Sequence, residues 1–290
     1  MPVLPVIRAS VVVVVRNEVR TVARCLRAIL EQTCRELELI VVDNGSTDGT
    51  GEIVRDIGHY AALKVLWDPD AIGIAALRNL GVALASGTHV FFTDGDCVPE
   101  RHWVEEGLQL LASGNWVGVE GKTVYEAPEK VTVRDCVVQQ LAPGEYRTCN
   151  VAYPRSVLDE VGGFDQRFTF EAEDRDLALR VLAKGPIAFC EEMVVFHQQK
   201  KLDVRTLFAR CRRVESRVRL FRKHGSAAGL HGRVFSPRSL LLLAFPPLIF
   251  LTSAFAGPHD VAFAFAKYAS LIYERLLIWK AAIREEVFVL

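Results

Sequence analysis

The sequence predicts an α/β fold with a mostly parallel central sheet, because apolar runs and amphipathic segments alternate along its first hundred residues. Runs of β-branched and aromatic residues at 10–15, 37–42 and 90–92 have the length and composition of buried strands. The segments between them place apolar residues at three- and four-residue steps, as helices packed on a sheet do. Strands and helices that alternate in this way form right-handed βαβ units.

The elements follow one another in a regular order. Thr21 stands where the first helix is expected to begin, and its hydroxyl is a good N-terminal cap for the apolar face that follows. Gly73 and Gly87 bound the helix that leads to the fourth strand. After the first helix we expect a strand at 37–42, a helix from about Thr50 to Ile57, strand 62–67, helix 74–85 and the strand that ends after Phe92.

Two carboxylates follow the fourth strand. Asp94 and Asp96 flank Gly95, which we expect to allow a tight turn of the backbone. Ligands of open α/β sheets bind outside the carboxyl ends of the strands, so both side chains fall at the expected binding edge. Neighbouring carboxylates repel unless a cation lies between them, and Mg²⁺ or Mn²⁺ prefers oxygen ligands. The pair indicates a metal site for a diphosphate, although a solvated turn is the commoner role of such a tripeptide.

The second strand ends in a polar loop that runs from Asp43 to Thr50. An Asp at this place can accept a hydrogen bond from a base or a ribose, but the same residue types also form ordinary turns. The residues alone leave both roles open. No G-x-G-x-x-G motif follows the first strand, which argues against a dinucleotide-dependent oxidoreductase.

Composition and charge narrow the class of protein. The chain has 290 residues, half of them apolar, which is enough for one large α/β domain with an appendage. Its net charge is zero, but residues 200–238 carry a net +10 and residues 1–199 a net −10. Seven cysteines without C-x-x-C spacing suggest reduced thiols in a cytosolic protein. Arg8 interrupts the apolar start, so we expect no secretory signal peptide.

Taken together, the motifs resemble those of family 2 glycosyltransferases over roughly residues 9–200. Two departures are visible: Val15-Arg-Asn stands where the family often has Pro-x-Tyr-Asn, and Asn44 stands where a second Asp is common. The second departure leaves the base of the nucleotide open. The resemblance is carried by seven ordered segments, at 11–18, 41–49, 73–81, 92–96, 149–158, 161–168 and 173–180, and by the strand that ends in His197.

The resemblance implies the GT-A fold, a sandwich of α-helices and β-strands that binds nucleotide diphosphosugars. Asp43 and the backbone near Val15 would then bind the nucleobase or the ribose of the donor. Arg78 would face the diphosphate or the ribose, although a cation on a helix surface is its alternative role. Asp94 would also contact the donor.

The resemblance also implies a metal site and a catalytic base. Asp94 and Asp96 would hold a divalent cation, Mn²⁺ or Mg²⁺, with Asp96 the more direct ligand and His197 a third one. A lone His after an apolar strand can equally be a packed residue. In the family, the motif that begins at Glu173 supplies the general base of an inverting reaction; we choose Asp174, with Glu173 as the substitute. Carboxylates also favour helix N-termini for structural reasons.

The last ninety residues are basic and apolar. A single basic helix is expected at 205–223, and residues 239–258 contain no charge but include Pro246-Pro247. Residues 261–280 are amphipathic, which favours a membrane interface over a span. Attachment to an anionic membrane surface is therefore expected, with packing on this domain or on another subunit as the alternative. No nucleic-acid motif is present.

These observations favour an inverting, metal-dependent glycosyltransferase with a GT-A domain at 1–200 and a helical region at 201–290. The donor would be a nucleotide diphosphate sugar and the acceptor a hydroxyl of a glycan or of a lipid-linked sugar, in glycolipid or surface-polysaccharide synthesis. The expected location is the cytoplasmic face of the membrane. The alternatives are a nucleotidyltransferase, whose triphosphate loop Arg16-Asn-Glu does not resemble, and a binding or scaffold protein on the same fold.

Overall fold

A computed structural model describes most of the chain. Parts of three segments discussed above lie outside the described residues. They are 61–62 at the start of the third predicted strand, 229–238 of the basic segment, and 239–240, 243, 253 and 256 of the apolar run. The described residues are 8–60, 63–68, 73–126, 131–169, 171–228, 241–242, 244–252, 254–255 and 257–287.

Eight strands of the described residues form one sheet, in the order β3-β2-β1-β4-β7-β6-β8-β5. Neighbours β3-β2, β2-β1, β1-β4 and β6-β8 pair in parallel, while β4-β7, β7-β6 and β8-β5 pair antiparallel. The predicted α/β fold with a mostly parallel sheet is therefore confirmed. The strands are β1 (Ala9–Val15), β2 (Leu37–Asp43), β3 (Leu63–Trp67), β4 (His89–Asp94), β5 (Cys97–Pro99), β6 (Gly118–Tyr125), β7 (Val151–Pro154) and β8 (Ile187–His197).

Helices cover both faces of this sheet. Strand β1 shows why, since Val11 and Val13 point into one hydrophobic core and Val12 and Val14 into the other. A strand that is buried on both faces reads as a continuous apolar run, which is how β1 appears in the sequence. The helices of this part are α1 (Val22–Leu30), α2 (Thr50–Tyr60), α3 (Ile74–Leu84), α4 (Trp103–Ala112), α5 (Arg155–Val161) and α6 (Glu173–Leu182).

Two local predictions differ from the structure. Thr21 does precede α1, but its side chain does not cap the helix, because its hydroxyl donates to the carbonyl and the carboxylate of Glu18 instead. Gly95 lies in a turn as expected, yet for a different reason. It is not among the positive-φ residues, and a Cβ on it would stand 2.8 Å from Val15 Cγ1. The turn therefore needs glycine for space and not for backbone conformation.

Helix α3 lies unusually close to β1 at Gly81. A Cβ on this residue would stand 2.3 Å from Cγ1 of Val12, well inside the contact distance of two carbon atoms. The missing side chain therefore sets the distance between helix and sheet, and it brings the N-terminal turns of α3 to the carboxyl edge of the sheet.

Replacing Gly81 by alanine is expected to destabilise the fold, although alanine is the better helix former by about 1 kcal/mol. Overpacking costs about 1–3 kcal/mol, so the clash outweighs the gain. Thermal unfolding should show a Tm several degrees below the parent. Val12→Ala in the same chain removes the clashing methyl groups and should restore part of the loss. Gly257→Ala, where a Cβ would meet nothing within 4 Å, is the neutral control.

The described residues that follow β8 are mostly helical. The single basic helix expected at 205–223 is wrong, because the segment forms two helices with a break at Arg212 and Arg213. Val214 and Val218 pack against Ile278 in one small core. The elements are α7 (Val204–Cys211), α8 (Val214–His224), a 3₁₀ helix (Gly225–Ala228), α9 (Pro247–Thr252) and α10 (Pro258–Arg284).

The chain divides into two compact units. The first comprises Met1–Glu126, Val138–Thr169 and Glu173–Gln198, and the second comprises Ala127–Val137, Phe170–Ala172 and Gln199–Leu290. The second unit thus takes two short segments from within the first 200 residues. No helix of the described residues combines the length and the apolar character needed to cross a membrane.

Candidate functional site

The carboxyl ends of the parallel strands bring three of the predicted site residues to one edge of the sheet. Val15 lies opposite Asp43 in the register of β1 and β2, and Val14 lies opposite Asp94 in the register of β1 and β4. Because the strands run in the same direction, their last residues must meet at this edge. The edge is the place where ligands bind in open α/β sheets.

His197 reaches Asp96 through a strand pairing. Strand β5 begins just after Asp96 and pairs antiparallel with the end of β8, where Cys97 lies opposite His197. The pairing continues with the backbone N–H of Gln198, which donates to the carbonyl of Asp96 at 2.8 Å. His197 Nε2 consequently lies 3.6 Å from Asp96 Oδ1, which is too long for a hydrogen bond.

The other ring nitrogen of His197 fixes the tautomer. Nδ1 lies 3.1 Å from the carbonyl oxygen of Gln198, which can only accept, so Nδ1 carries the proton. This leaves Nε2 as the ring nitrogen that lies towards Asp96 and could bind a metal ion. An imidazole oriented by a backbone carbonyl and facing a carboxylate is a common arrangement of two metal ligands.

Cys97 lies beside these two side chains. The ligand atoms of Asp96, Cys97 and His197 all lie within 4.8 Å of one another. Cys97 is fully buried, and this burial raises the pKa of its thiol well above the ordinary value. Its Sγ lies 3.7 Å from Asp96 Oδ1, as a weak donor would. The oxygen and nitrogen ligands of Asp96 and His197 suit Mn²⁺ or Mg²⁺, which a protonated thiol does not.

Arg78 is not a surface cation. It lies on α3 with 4% of its surface exposed, and it bridges two carboxylates. Nη1 donates to Glu173 Oε1 at 2.5 Å and Nη2 donates to Asp94 Oδ1 at 3.1 Å. Burial acts to lower the pKa of Arg78, but the charges of Asp94, Glu173 and Asp174 outweigh it and raise the pKa. The guanidinium therefore joins the two acidic segments of the site.

The two carboxylates at the start of α6 differ in environment. Glu173 is 5% exposed; one oxygen is bound to Arg78, while Oε2 has no hydrogen-bond partner among the described residues. Asp174 is more exposed, and its Oδ1 accepts from the backbone N–H of Arg175 at 2.7 Å. Glu173 is thus paired with a cation inside the protein, whereas Asp174 is partly exposed in the same first turn of α6.

Asp43 is held in its loop. Its Oδ1 accepts from the backbone N–H of Ser46 at 2.9 Å, and its Oδ2 is buried with no partner among the described residues. The neighbouring Asn44 is fixed by its amide, which donates to the carbonyl of Asp68 at 2.9 Å, and by Arg16, which donates to its side-chain oxygen. These hydrogen bonds fix the loop and leave Oδ2 of Asp43 available to accept a hydrogen bond from a ligand.

Sequence reasoning did not identify two features of this region. One is the ion pair of Arg78 with Glu173, which joins residues 95 positions apart. The other is Glu120, a buried carboxylate in β6. The signal available for Glu120 was a lone acidic residue in an otherwise apolar and glycine-bearing run, Val117-Gly-Val-Glu-Gly121.

Comparison with known proteins places the chain in a family. Residues 10–164, more than half of the chain, match the model of glycosyl transferase family 2. The glycosyltransferase AglE of Haloferax volcanii is 32% identical over 171 residues, which cover 53% of this chain and 55% of that protein. The matches to the first curated relatives cover between 14% and 55% of those proteins' lengths.

Solved glycosyltransferase structures share the fold. The mannosyltransferase PcManGT of Pyrobaculum calidifontis, solved with GDP-Man and Mn²⁺, has a TM-score of 0.63 at 20% identity, with 98% of this chain and 90% of that chain covered. S. aureus TarS residues 1–349, solved with UDP-GlcNAc, has a TM-score of 0.56 at 16% identity, with 97% and 93% covered. The chain therefore belongs to glycosyl transferase family 2.

Proposed function

We propose that this protein is an inverting, metal-dependent glycosyltransferase that transfers a sugar from a nucleotide diphosphate donor to a hydroxyl group. Two observations carry the proposal: the close approach of Asp96 and His197, and the bridge by which Arg78 joins Asp94, at the carboxyl edge of the sheet, to Glu173 in the first turn of α6. The reaction needs a site for the diphosphate of the donor and a base for the hydroxyl of the acceptor. The proposed metal site would supply the first, and the carboxylates in the first turn of α6 would supply the second.

The metal would be held by Asp96 and His197, while the Asp94 carboxylate, two residues earlier, is bound to Arg78. The fit rests on His197 Nε2, which lies 3.6 Å from Asp96 Oδ1, while Nδ1 faces the carbonyl of Gln198. When bound, Mn²⁺ or Mg²⁺ would neutralise the charge of the leaving diphosphate. Arg78 is occupied by Asp94 and Glu173, so its role is to orient these carboxylates and to offset their repulsion. A direct contact of Arg78 with the donor would require one of these pairs to open.

Asp174 would be the general base. A base must reach the acceptor hydroxyl and take its proton. Glu173 is committed to a buried guanidinium, while Asp174 is the more exposed of the two and lies on the same turn. Attack from this side, opposite the leaving diphosphate, would invert the configuration of the sugar. Asp43 and the backbone of Val15 would hold the nucleoside end of the donor.

A panel of nucleotide sugars tests the proposal. A ligand that binds the folded protein raises the free energy of unfolding, by about 2.7 kcal/mol at a concentration of one hundred times Kd, and so raises Tm. UDP-, GDP- and dTDP-sugars should be compared with and without Mn²⁺. We expect at least one of them to raise Tm only when Mn²⁺ is present, and to lose this effect in Asp43→Ala. If none stabilises the protein under either condition, the donor class is wrong.

We also propose that the protein acts on lipid-linked or cell-surface glycans while attached to an anionic membrane surface. Helix α10 has 27 residues, and six of its exposed apolar side chains form one stripe along about 33 Å. Lys280 and Arg284 of this helix are exposed, whereas Asp260 is buried and Glu274 is partly buried. The stripe consists of Val261, Phe265, Ile272, Leu276, Trp279 and Ile283.

Binding to vesicles separates the two contributions to this attachment. Basic residues contribute about 1 kcal/mol each near an anionic surface and are screened within about 10 Å at 0.1 M salt. We expect binding to anionic vesicles that salt weakens without abolishing it. Phe265→Ser together with Trp279→Ser should remove the salt-resistant part, whereas Arg20→Ser, an exposed residue of the first unit, should not. Equal binding to neutral vesicles, or no binding to either kind, would contradict the proposal.

A further inference from the structure

Glu120 is a buried carboxylate on β6 that binds the main chain of a single loop. Its Oε1 accepts from the N–H of Gly144 at 2.5 Å, and its Oε2 accepts from the N–H of Tyr146 at 2.8 Å and from Gln140 Nε2 at 2.6 Å. Burial raises the pKa of Glu120, and these hydrogen bonds act in the opposite direction. A carboxylate inside a protein persists where hydrogen bonds replace its water, and here one loop provides them.

The loop is held in a conformation that it would not adopt freely. Its first residue, Gln140, is paired with Thr123 of β6 by two backbone hydrogen bonds of 2.9 Å. Tyr146 has φ +55°, in the left-handed region that non-glycine residues rarely occupy, and Gly144 has φ +106°. Such backbone conformations persist only where the surroundings impose them. Glu120 binds the N–H of both residues, so it is the group that imposes this conformation.

The loop in turn holds the first turn of α6. Arg175 donates from Nη1 to the carbonyl oxygen of Gly144, and its guanidinium lies 5.3 Å from the ring centroid of Tyr146. A cation over an aromatic face adds attraction and fixes the plane of both groups. Arg175 follows Asp174 directly in the chain, and its backbone N–H donates to the Asp174 carboxylate. The contact that fixes Arg175 therefore lies one residue from the proposed base.

The first turn of α6 is thus held by contacts on both sides of Asp174. Arg78 binds Glu173, and the loop binds Arg175, so Asp174 stands between two residues with fixed side chains. We propose that Glu120 is a positioning residue of the transfer reaction: it fixes the loop 140–146, which holds Arg175 and thereby sets the orientation of Asp174 towards the acceptor. This inference rests on the proposed function of Asp174 as the base.

Glu120→Gln tests the inference with little change in volume. The amide keeps one acceptor oxygen but turns an NH₂ group towards a backbone N–H, so at least one of the two contacts with the main chain of the loop is lost. Misplacement of a reacting group by about 1 Å can cost about 10²-fold in rate. We expect kcat to fall roughly 10- to 100-fold while the Kd of the donor with Mn²⁺ stays within about twofold. Glu145→Gln is the matched control, since this exposed carboxylate of the same loop is paired with Arg147 and not with the network of Glu120.

A double-mutant cycle distinguishes positioning from general loss of structure. If Glu120 acts through Asp174, then Glu120→Gln should lower kcat little or not at all in a chain that already carries Asp174→Asn. Costs that multiply in the double variant would overturn the inference, because Glu120 would then act independently of Asp174. Equal kcat values for Glu120→Gln and Glu145→Gln would overturn it as well.

Arg175→Lys changes another member of the same contacts. It keeps the inference testable if Glu120→Gln does not fold. Lysine keeps the charge but cannot match the planar contact with Tyr146 and Gly144. We expect the same pattern, a lower kcat with unchanged donor affinity. A joint loss of donor affinity and rate in Arg175→Lys would overturn the inference. If Asp174→Asn itself keeps full activity, the proposed base has failed, whereas a normal Glu120→Gln beside an impaired Asp174→Asn refutes only the positioning role.

Discussion

Asp96→Ala is expected to abolish turnover and to remove the effect of Mn²⁺ on donor binding. The carboxylate lies 3.6 Å from His197 Nε2, so its loss leaves the imidazole as the main remaining ligand of the proposed site. A hard cation held by fewer protein oxygens binds more weakly and cannot neutralise the departing diphosphate. The fold should survive, because the backbone carbonyl of Asp96, and not its side chain, pairs with Gln198.

Two measurements check this expectation independently. Thermal unfolding with increasing Mn²⁺ should show a rise in Tm for the parent and for Asp56→Ala, an exposed carboxylate on α2, but not for Asp96→Ala. Turnover assays should show that EDTA stops the parent enzyme and that added Mn²⁺ restores it. Undiminished turnover in EDTA would refute the metal dependence, and a normal Mn²⁺ response in Asp96→Ala would refute the ligand assignment alone.

The parts of the fold that sequence reasoning predicted correctly depend on local patterns. The continuous apolar run of β1 indicates a strand buried on both faces, and Val12 and Val13 do enter different cores. Once several strands are known to be parallel, their carboxyl ends must share an edge. The approach of Asp43 and Asp94 to that edge was therefore predictable from strand order and direction, without knowledge of any tertiary contact.

The features that were missed depend on contacts between distant segments. Arg78 and Glu173 are 95 residues apart, and periodicity on α3 cannot tell that a cation at this position is buried. The break between α7 and α8 falls at Arg212 and Arg213, inside a pattern whose three- and four-residue steps continue on either side. Glu120 shows the same limit, because its partners belong to a loop whose conformation no local rule predicts.

Asp174→Asn is expected to lower kcat by about 10²- to 10⁴-fold and to leave donor affinity nearly unchanged. Asparagine keeps the size and the hydrogen bond from the N–H of Arg175, but it cannot take a proton from the acceptor. The expected loss corresponds to about 3–5 kcal/mol of transition-state stabilisation. Donor affinity should persist, because the groups proposed to bind the donor and its metal lie on or directly after β1, β2, β4 and β8, and not on α6.

Glu173→Gln provides the contrast that separates the base from its neighbour. Removing this charge leaves Arg78, a buried guanidinium, with Asp94 as its remaining close partner, so stability and donor affinity should fall together with rate. Asp159→Asn on the exposed side of α5 should change none of the three quantities. Asp174→Asn must therefore differ from Glu173→Gln in the Kd of the donor and in Tm. If both variants lose donor binding to the same extent, the carboxylate of Asp174 belongs to the donor site, and the base must be sought elsewhere on the acceptor side.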